Sequence, residues 1–241
     1  MDTTVAGTRT PWGVGDIALA VGMVVAGAIF LAVPLGTAAT LVAAQGQVDQ
    51  DPLATALLLG ASMGVELLLL AAAIVLSVGK YGAPPALLGW RWSWRGSLWT
   101  ALAALLGAYL VLGIYTGAVQ ALGLEGALPQ EQVPEVAFRE PPLTALTAIT
   151  VLALAPIAED TFFRGFVFGG LRGRWGVVLA ALASGLLFSA VHFQPQVVVP
   201  FAGIGIVFAL TYAYCGSIVP GVLAHLAFNG ISFGLALAGA G

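Results

Sequence analysis

Residues 17–44 read IALAVGMVVAGAIFLAVPLGTAATLVAA, a stretch without one charged side chain. A helix of about 20 such residues crosses a hydrocarbon layer of about 30 Å, and a soluble core has no use for so long an apolar run. Comparable runs recur along the chain, and the composition agrees: 60% of residues are hydrophobic and 8% charged, with a mean hydropathy of +1.01. Soluble proteins carry about 25% charged residues. The sequence therefore predicts an all-α, polytopic integral membrane protein. No basic leader or small-residue cleavage site precedes the first run, which reads as a retained helix rather than a signal peptide.

Apolar runs between polar breaks predict seven helices, near 15–44, 53–79, 96–123, 143–171, 176–193, 197–214 and 217–238. A break at Pro34 would make eight. Residues 1–142 form an amino-terminal set of helices with one extramembrane loop, 123–142, and residues 143–241 form the part that carries the chemistry. Lys and Arg are retained on the cytoplasmic side of membranes. Seven alternating spans put Arg9, Lys80, Arg91, Arg95, Arg172 and Arg174 on one side, whereas the loops 45–52 and 124–142 hold only Arg139. The expected arrangement is an amino terminus inside a prokaryotic cytoplasmic membrane and a carboxyl terminus outside. Trp90, Trp92, Trp94 and Trp99 beside those arginines read as an interfacial belt. A net charge of −3 offers no footprint for nucleic acid. The single cysteine, Cys215, excludes an internal disulfide and a zinc-thiolate cluster. The expected partners are the lipid bilayer and a protein or peptide substrate.

Two acids and a base interrupt the fourth apolar run in Pro156-Ile157-Ala158-Glu159-Asp160-Thr161-Phe162-Phe163-Arg164. Each charge costs about 2.5–3.5 kcal/mol at bilayer depth, so such groups face a protein interior or a watery cavity. Asp160 and Arg164 are four apart and can pair on one helical face, which leaves Glu159 without a local partner. The chain has only two histidines, His192 and His225, and one asparagine, Asn229. His225 and Asn229 are again four apart and share a face. Counting about 1.5 Å per residue from the expected cytoplasmic ends brings Glu159, His192, His225 and Asn229 to the middle of the membrane. A carboxylate with imidazoles and an amide can activate water and stabilise a tetrahedral oxyanion. Ser189 and Thr161 lie nearby in sequence, but helical hydroxyls usually bond to their own backbone, which argues against a serine or threonine nucleophile. Glu66, alone in the second run, is a candidate extra element, its plainer reading being a snorkelling or water-facing acid.

The ordered residues Glu159-Asp160-x-x-x-Arg164, Phe188-x-x-x-His192 and His225-x-x-x-Asn229 resemble the signature of the CAAX prenyl protease and bacteriocin-processing (Abi) family: E-E-x-x-x-R, F-x-x-x-H and H-x-x-x-N/D. The resemblance spans residues 143 to 238. It implies an intramembrane endopeptidase in which Glu159 and His192 activate water and His225 and Asn229 hold the oxyanion, with Asp160 and Arg164 organising them. Asp160 stands where the family has a second glutamate. Glu159, His192 and His225 also make a candidate three-ligand zinc site, although H-E-x-x-H is absent. The same buried groups would serve a transporter or proton relay, or a peptide-binding immunity or scaffold protein that does not cut.

Overall fold

The computed structural model describes residues 9–43, 47–93, 96, 98–129 and 133–239. Among them there is no strand, and 85% of them are helical. Six helical stretches are long and apolar enough to cross a membrane: Val14–Val42 (α1), Pro52–Gly79 (α2), Leu98–Ala121 (α3), Pro141–Ala190, Pro195–Cys215 (α6) and Val219–Gly239 (α7). The 50-residue stretch Pro141–Ala190 is two rods, because Gly176 sits at φ 79°, ψ 168°, outside helical geometry. We call residues 141–175 α4 and residues 177–190 α5. With that bend the seven expected helices are present, their ends shifted by a few residues. α1 runs unbroken through Pro34, so the eight-segment alternative has no counterpart. Trp94 and Arg95, expected in the belt and on the basic side, lie outside the described residues.

Local chemistry explains where the helices begin. Asp51 caps α2 by accepting a hydrogen bond from the backbone N–H of Ala54 at 2.9 Å, and Pro52 opens the first turn, where its missing N–H costs nothing. Asp16 in the first turn of α1 accepts from the Gly13 N–H at 3.0 Å and pairs with Lys80 at the end of α2 at 2.6 Å. In the connection to α4, Glu125–Ala127 forms a 3-10 turn and Val136–Arg139 one turn of α-helix. This connection is tied to the bundle by the Tyr115 hydroxyl donating to the Ala127 carbonyl at 2.8 Å.

Helices in lipid gain no hydrophobic drive against each other and rely on close approach. α5 and α6 cross where Gly185 meets Gly205. A Cβ on Gly185 would stand 2.6 Å from the Ala202 carbonyl oxygen, and one on Gly205 2.8 Å from the Gly185 Cα. Large apolar side chains such as Phe30, Leu110 and Leu235 point outward and are mostly exposed, as lipid-facing residues are. The buried centre is aromatic, with Phe162, Phe163, Phe166, Phe168 and Phe188 against Trp12.

Candidate active site

Two parts of α4 depart from α-helical winding, Thr150–Leu154 and Asp160–Phe168, both π-helical. Such turns recur at functional sites because they release carbonyls from the regular ladder and re-aim side chains. The released groups find partners across the bundle: Trp12 Nε1 donates to the Phe166 carbonyl at 2.9 Å and Ser184 Oγ to the Phe163 carbonyl at 2.8 Å. The second π segment begins at Asp160, one residue after Glu159, in the motif singled out from sequence.

The charged groups of that motif are sealed from solvent. Glu159 is 5%, Asp160 0%, Arg164 1% and His225 6% exposed. Asp160 Oδ1 lies 3.3 Å from Arg164 Nε, the expected pair. The guanidinium is also cushioned by aromatic faces, 4.2 Å from the Phe188 ring centre and 5.2 Å from that of Phe208, an arrangement that stabilises a desolvated cation. Asp160 has a second partner that its spacing did not announce: its Oδ2 stands 3.0 Å from His225 Nδ1. The other nitrogen of that ring, Nε2, is 3.5 Å from Glu159 Oε2. His225 thus bridges two acids adjacent in sequence.

His192 approaches Glu159 from the other flank, with Nε2 4.0 Å from Oε1. It lies in the turn beyond α5, which ends at Ala190, and not within a helix as the sequence suggested. Its Nδ1 is 2.9 Å from the Phe188 carbonyl. A carbonyl can only accept, so Nδ1 carries the proton, and the lone pair of the neutral ring resides on Nε2, facing Glu159. Phe201 packs edge-on against the ring, with centres 4.7 Å apart. Phe188 therefore supplies the carbonyl that orients His192, the face that cushions Arg164, and a ring contact to His225 at 6.0 Å.

Asn229 follows one turn beyond His225 on α7, and its Nδ2 donates to the Val151 carbonyl at 2.9 Å, inside the first π segment of α4. One of its two N–H groups is thereby fixed and the other is free to act on a ligand. The start of α7 is anchored by the loop before α3. Arg91 Nε donates to the Gly216 carbonyl at 2.6 Å, Ser217 Oγ to the Arg91 carbonyl at 2.7 Å, and the Ile218 N–H to the Gly89 carbonyl at 3.1 Å. The hydroxyls of Ser189 and Thr161 bond to Leu186 and Ile157 of their own turns, as expected. Trp90, expected in the belt, instead donates from Nε1 to Thr161 Oγ1 at 2.9 Å. Trp92 and Trp99 are 79% and 78% exposed and keep the belt character. Glu66 is buried at 8% exposure within the bundle and does not snorkel to the membrane surface.

Zinc was a candidate for Glu159, His192 and His225. The donor types suit it, since each imidazole has Nδ1 tied to an oxygen and Nε2 turned inward. The spacing does not, because among the described residues no three His, Cys, Asp or Glu side chains converge closely enough to hold a metal ion.

Comparison with known proteins places this geometry in context. Residues 141–231 match the family model described as type II CAAX prenyl endopeptidase Rce1-like. An Escherichia coli protein named "Uncharacterized 24.3 kDa protein" is 35% identical over 129 residues, 51% of this chain and 58% of that protein. The Bacillus subtilis (strain 168) protein named "Putative membrane peptidase YdiL" is 31% identical over 84 residues, 35% of this chain and 34% of that protein. The chain thus spans between a third and three fifths of the length of these relatives. No solved structure matches it. The matched interval contains Glu159, Asp160, Arg164, His192, His225 and Asn229, so the three ordered motifs and the family model coincide: over residues 141–231 this integral membrane protein carries an Rce1-like segment.

Proposed function

We propose that this protein is an intramembrane endopeptidase that hydrolyses a peptide bond of a membrane-associated protein or peptide with water activated by Glu159 and His192. One observation carries the reading. A buried carboxylate lies between two imidazoles, 3.5 and 4.0 Å away, whose outer nitrogens are both fixed by oxygen acceptors. The family match over residues 141–231 and the relative named as a membrane peptidase agree with it.

The mechanism follows from which atoms hold protons. Glu159 Oε1 and His192 Nε2 are both acceptors, and their 4.0 Å separation suits one water donating a hydrogen to each over about 2.8 Å. As the water oxygen bonds to the peptide carbonyl carbon, its proton passes to Glu159. The carbonyl oxygen becomes an oxyanion that accepts from His225 and the free N–H of Asn229. Asp160 holds Nδ1–H of His225 and turns Nε2 toward Glu159, so that an Nε2–H there is placed to donate to the oxyanion. Collapse of the intermediate breaks the C–N bond, and the proton on Glu159 goes to the leaving amine. Arg164 acts through Asp160 and is a positioning residue. The amino terminus inside a prokaryotic cytoplasmic membrane, read from the basic loops, belongs to the same proposal.

The test is cleavage of quenched fluorescent peptides, prenylated and unmodified, by the purified protein in detergent and in lipid. Wild type is compared with Glu159→Gln and His225→Ala, with and without a chelator. Chelator-insensitive cleavage that both substitutions abolish is the expected result. Cleavage lost to the chelator and restored by zinc would overturn water activation by Glu159 and His192 alone. No cleavage in either medium, with ion or solute flux in liposomes, would overturn the reading in favour of a transporter or relay.

A further inference from the structure

The helices of this protein satisfy most of their buried hydroxyls locally. Ser77 donates to the Ala73 carbonyl, Thr150 to Leu146, Thr161 to Ile157 and Thr211 to Val207. Thr147 does not: its Oγ1 is buried with no partner, and the same holds for Glu66 Oε2 and Thr55 Oγ1. Buried polar atoms are rarely left unpaired in native proteins, and those that protein atoms do not satisfy are the ones that water satisfies. Among the described residues, the other buried atoms without a hydrogen bond are Asp160 Oδ1, the three Arg164 guanidinium nitrogens, and the hydroxyl of Tyr109 on α3, whose ring is tilted against Phe228.

These groups converge on one seam. α2 packs along α4 from its beginning to the Glu159 region. At its outer end Leu59 is buried against Leu143 and Ala137, with Ala56 and Leu146 at the margin. Leu59 and Glu66 are seven apart and share a face of α2, as Leu143 and Thr147 share a face of α4. The two helices run parallel, as spans separated by one intervening crossing do, and Leu59 meets Leu143 at the start of the shared seam. Measured along the axis from the Leu59–Leu143 contact, Thr147 lies about 6 Å deeper, Glu66 about 10 Å and Glu159 about 24 Å. Thr55 lies on the outer side of the two leucines, which close the seam above Thr147.

We propose that Thr147 and Glu66 line a water-holding chamber between α2 and α4 that supplies Glu159 along the seam of those two helices. The inference rests on the peptidase reading for its purpose. Each bond cut consumes one water molecule, the site lies in an apolar bilayer, and a substrate seated at the partly exposed His192 closes the direct route. Glu66 positions water by accepting its hydrogen bonds and takes no part in bond making.

Two measurements test this. The first is independent of activity: hydroxyl-radical labelling by X-ray radiolysis of the purified chain. Leu143, at 7% exposure, is expected to label faster than Leu76, equally buried at 7% in the aromatic core, and to lose the excess in Thr147→Val. Equal labelling of the two leucines in wild type overturns the proposal whether or not the protein cleaves peptides. Labelling at Leu143 in a protein that cleaves nothing keeps the chamber and discards the peptidase reading. The second measurement is kinetic. Thr147→Val and Glu66→Leu are expected to lower kcat about tenfold each, the worth of one well-placed hydrogen bond, with KM unchanged and a polar Glu66→Gln restoring much of the rate. A dry seam predicts the opposite, because removing an unsatisfied hydroxyl then raises thermal stability and leaves kcat as it was.

Discussion

Replacing Arg164 by methionine tests the centre of the site most directly. Arg164 and Asp160 are 1% and 0% exposed and 3.3 Å apart. At an effective dielectric constant of about 20 that separation corresponds to roughly 5 kcal/mol of attraction. Removing one partner of a buried pair costs about 3–5 kcal/mol when the charge left behind has no other partner, whereas removing both charges together is often close to neutral; Asp160 keeps His225 Nδ1 at 3.0 Å, which holds the loss near the lower end of that range. Methionine matches the length of the arginine stem and keeps contact with Phe188 and Phe208, so packing loss adds little. Arg164→Met is therefore expected to lower stability by about 3 kcal/mol, and Asp160→Asn combined with Arg164→Met to recover most of it. The recovered double variant should still fail to cleave, because a neutral amide replaces the charged acceptor that holds His225 Nδ1. The assay is denaturant unfolding in mild detergent followed by tryptophan fluorescence, with peptide cleavage measured on the same preparations. A single variant within about 1 kcal/mol of wild type would refute the claim that this pair is a desolvated unit. A double variant no more stable than the single would refute the charge argument and leave packing as the cause.

Gly165→Ala should destabilise by about 1–3 kcal/mol, since its Cβ would meet the Leu88 carbonyl oxygen of a rigid turn; melting temperature is the check. Trp12→Phe keeps the stack on Phe166 but leaves that carbonyl, freed by the π turn, without its donor; the expected loss is about 1–3 kcal/mol of stability with cleavage retained. Orientation is tested in a Cys215→Ser background, where Gly126→Cys should react with an impermeant maleimide on intact cells and Gly82→Cys only after permeabilisation. The reverse pattern would invert the topology.

The seven helices were legible because the bilayer imposes one rule, an apolar run of sufficient length, on every span. The bend at Gly176 fell where two predicted helices adjoin. Spacing rules also captured the pairs on a single helix: Asp160 with Arg164, and His225 beside Asn229. Sequence could not supply the relations between helices. Helical rotation says that Glu159 and Asp160 point in different directions, which marked Glu159 as the isolated acid. The same divergence is what lets one imidazole touch both. The nitrogens of His225 lie on different edges of its ring, and two carboxylates splayed by one helical step meet one edge each. The π turn beginning at Asp160 widens the winding there, and no propensity scale registers it. His192 was misplaced into a helix for a related reason: the apolar pattern continues to Val191, but the backbone turns away after Ala190 and delivers the ring to Glu159 from the flank. Glu66 and Thr147 are a sterner case. Each is an ordinary residue for its helix, and only the adjacency of α2 and α4 makes their unpaired atoms informative. A buried acid without a partner reads as an error of design in one helix, and as part of a site once the neighbouring helix is in view.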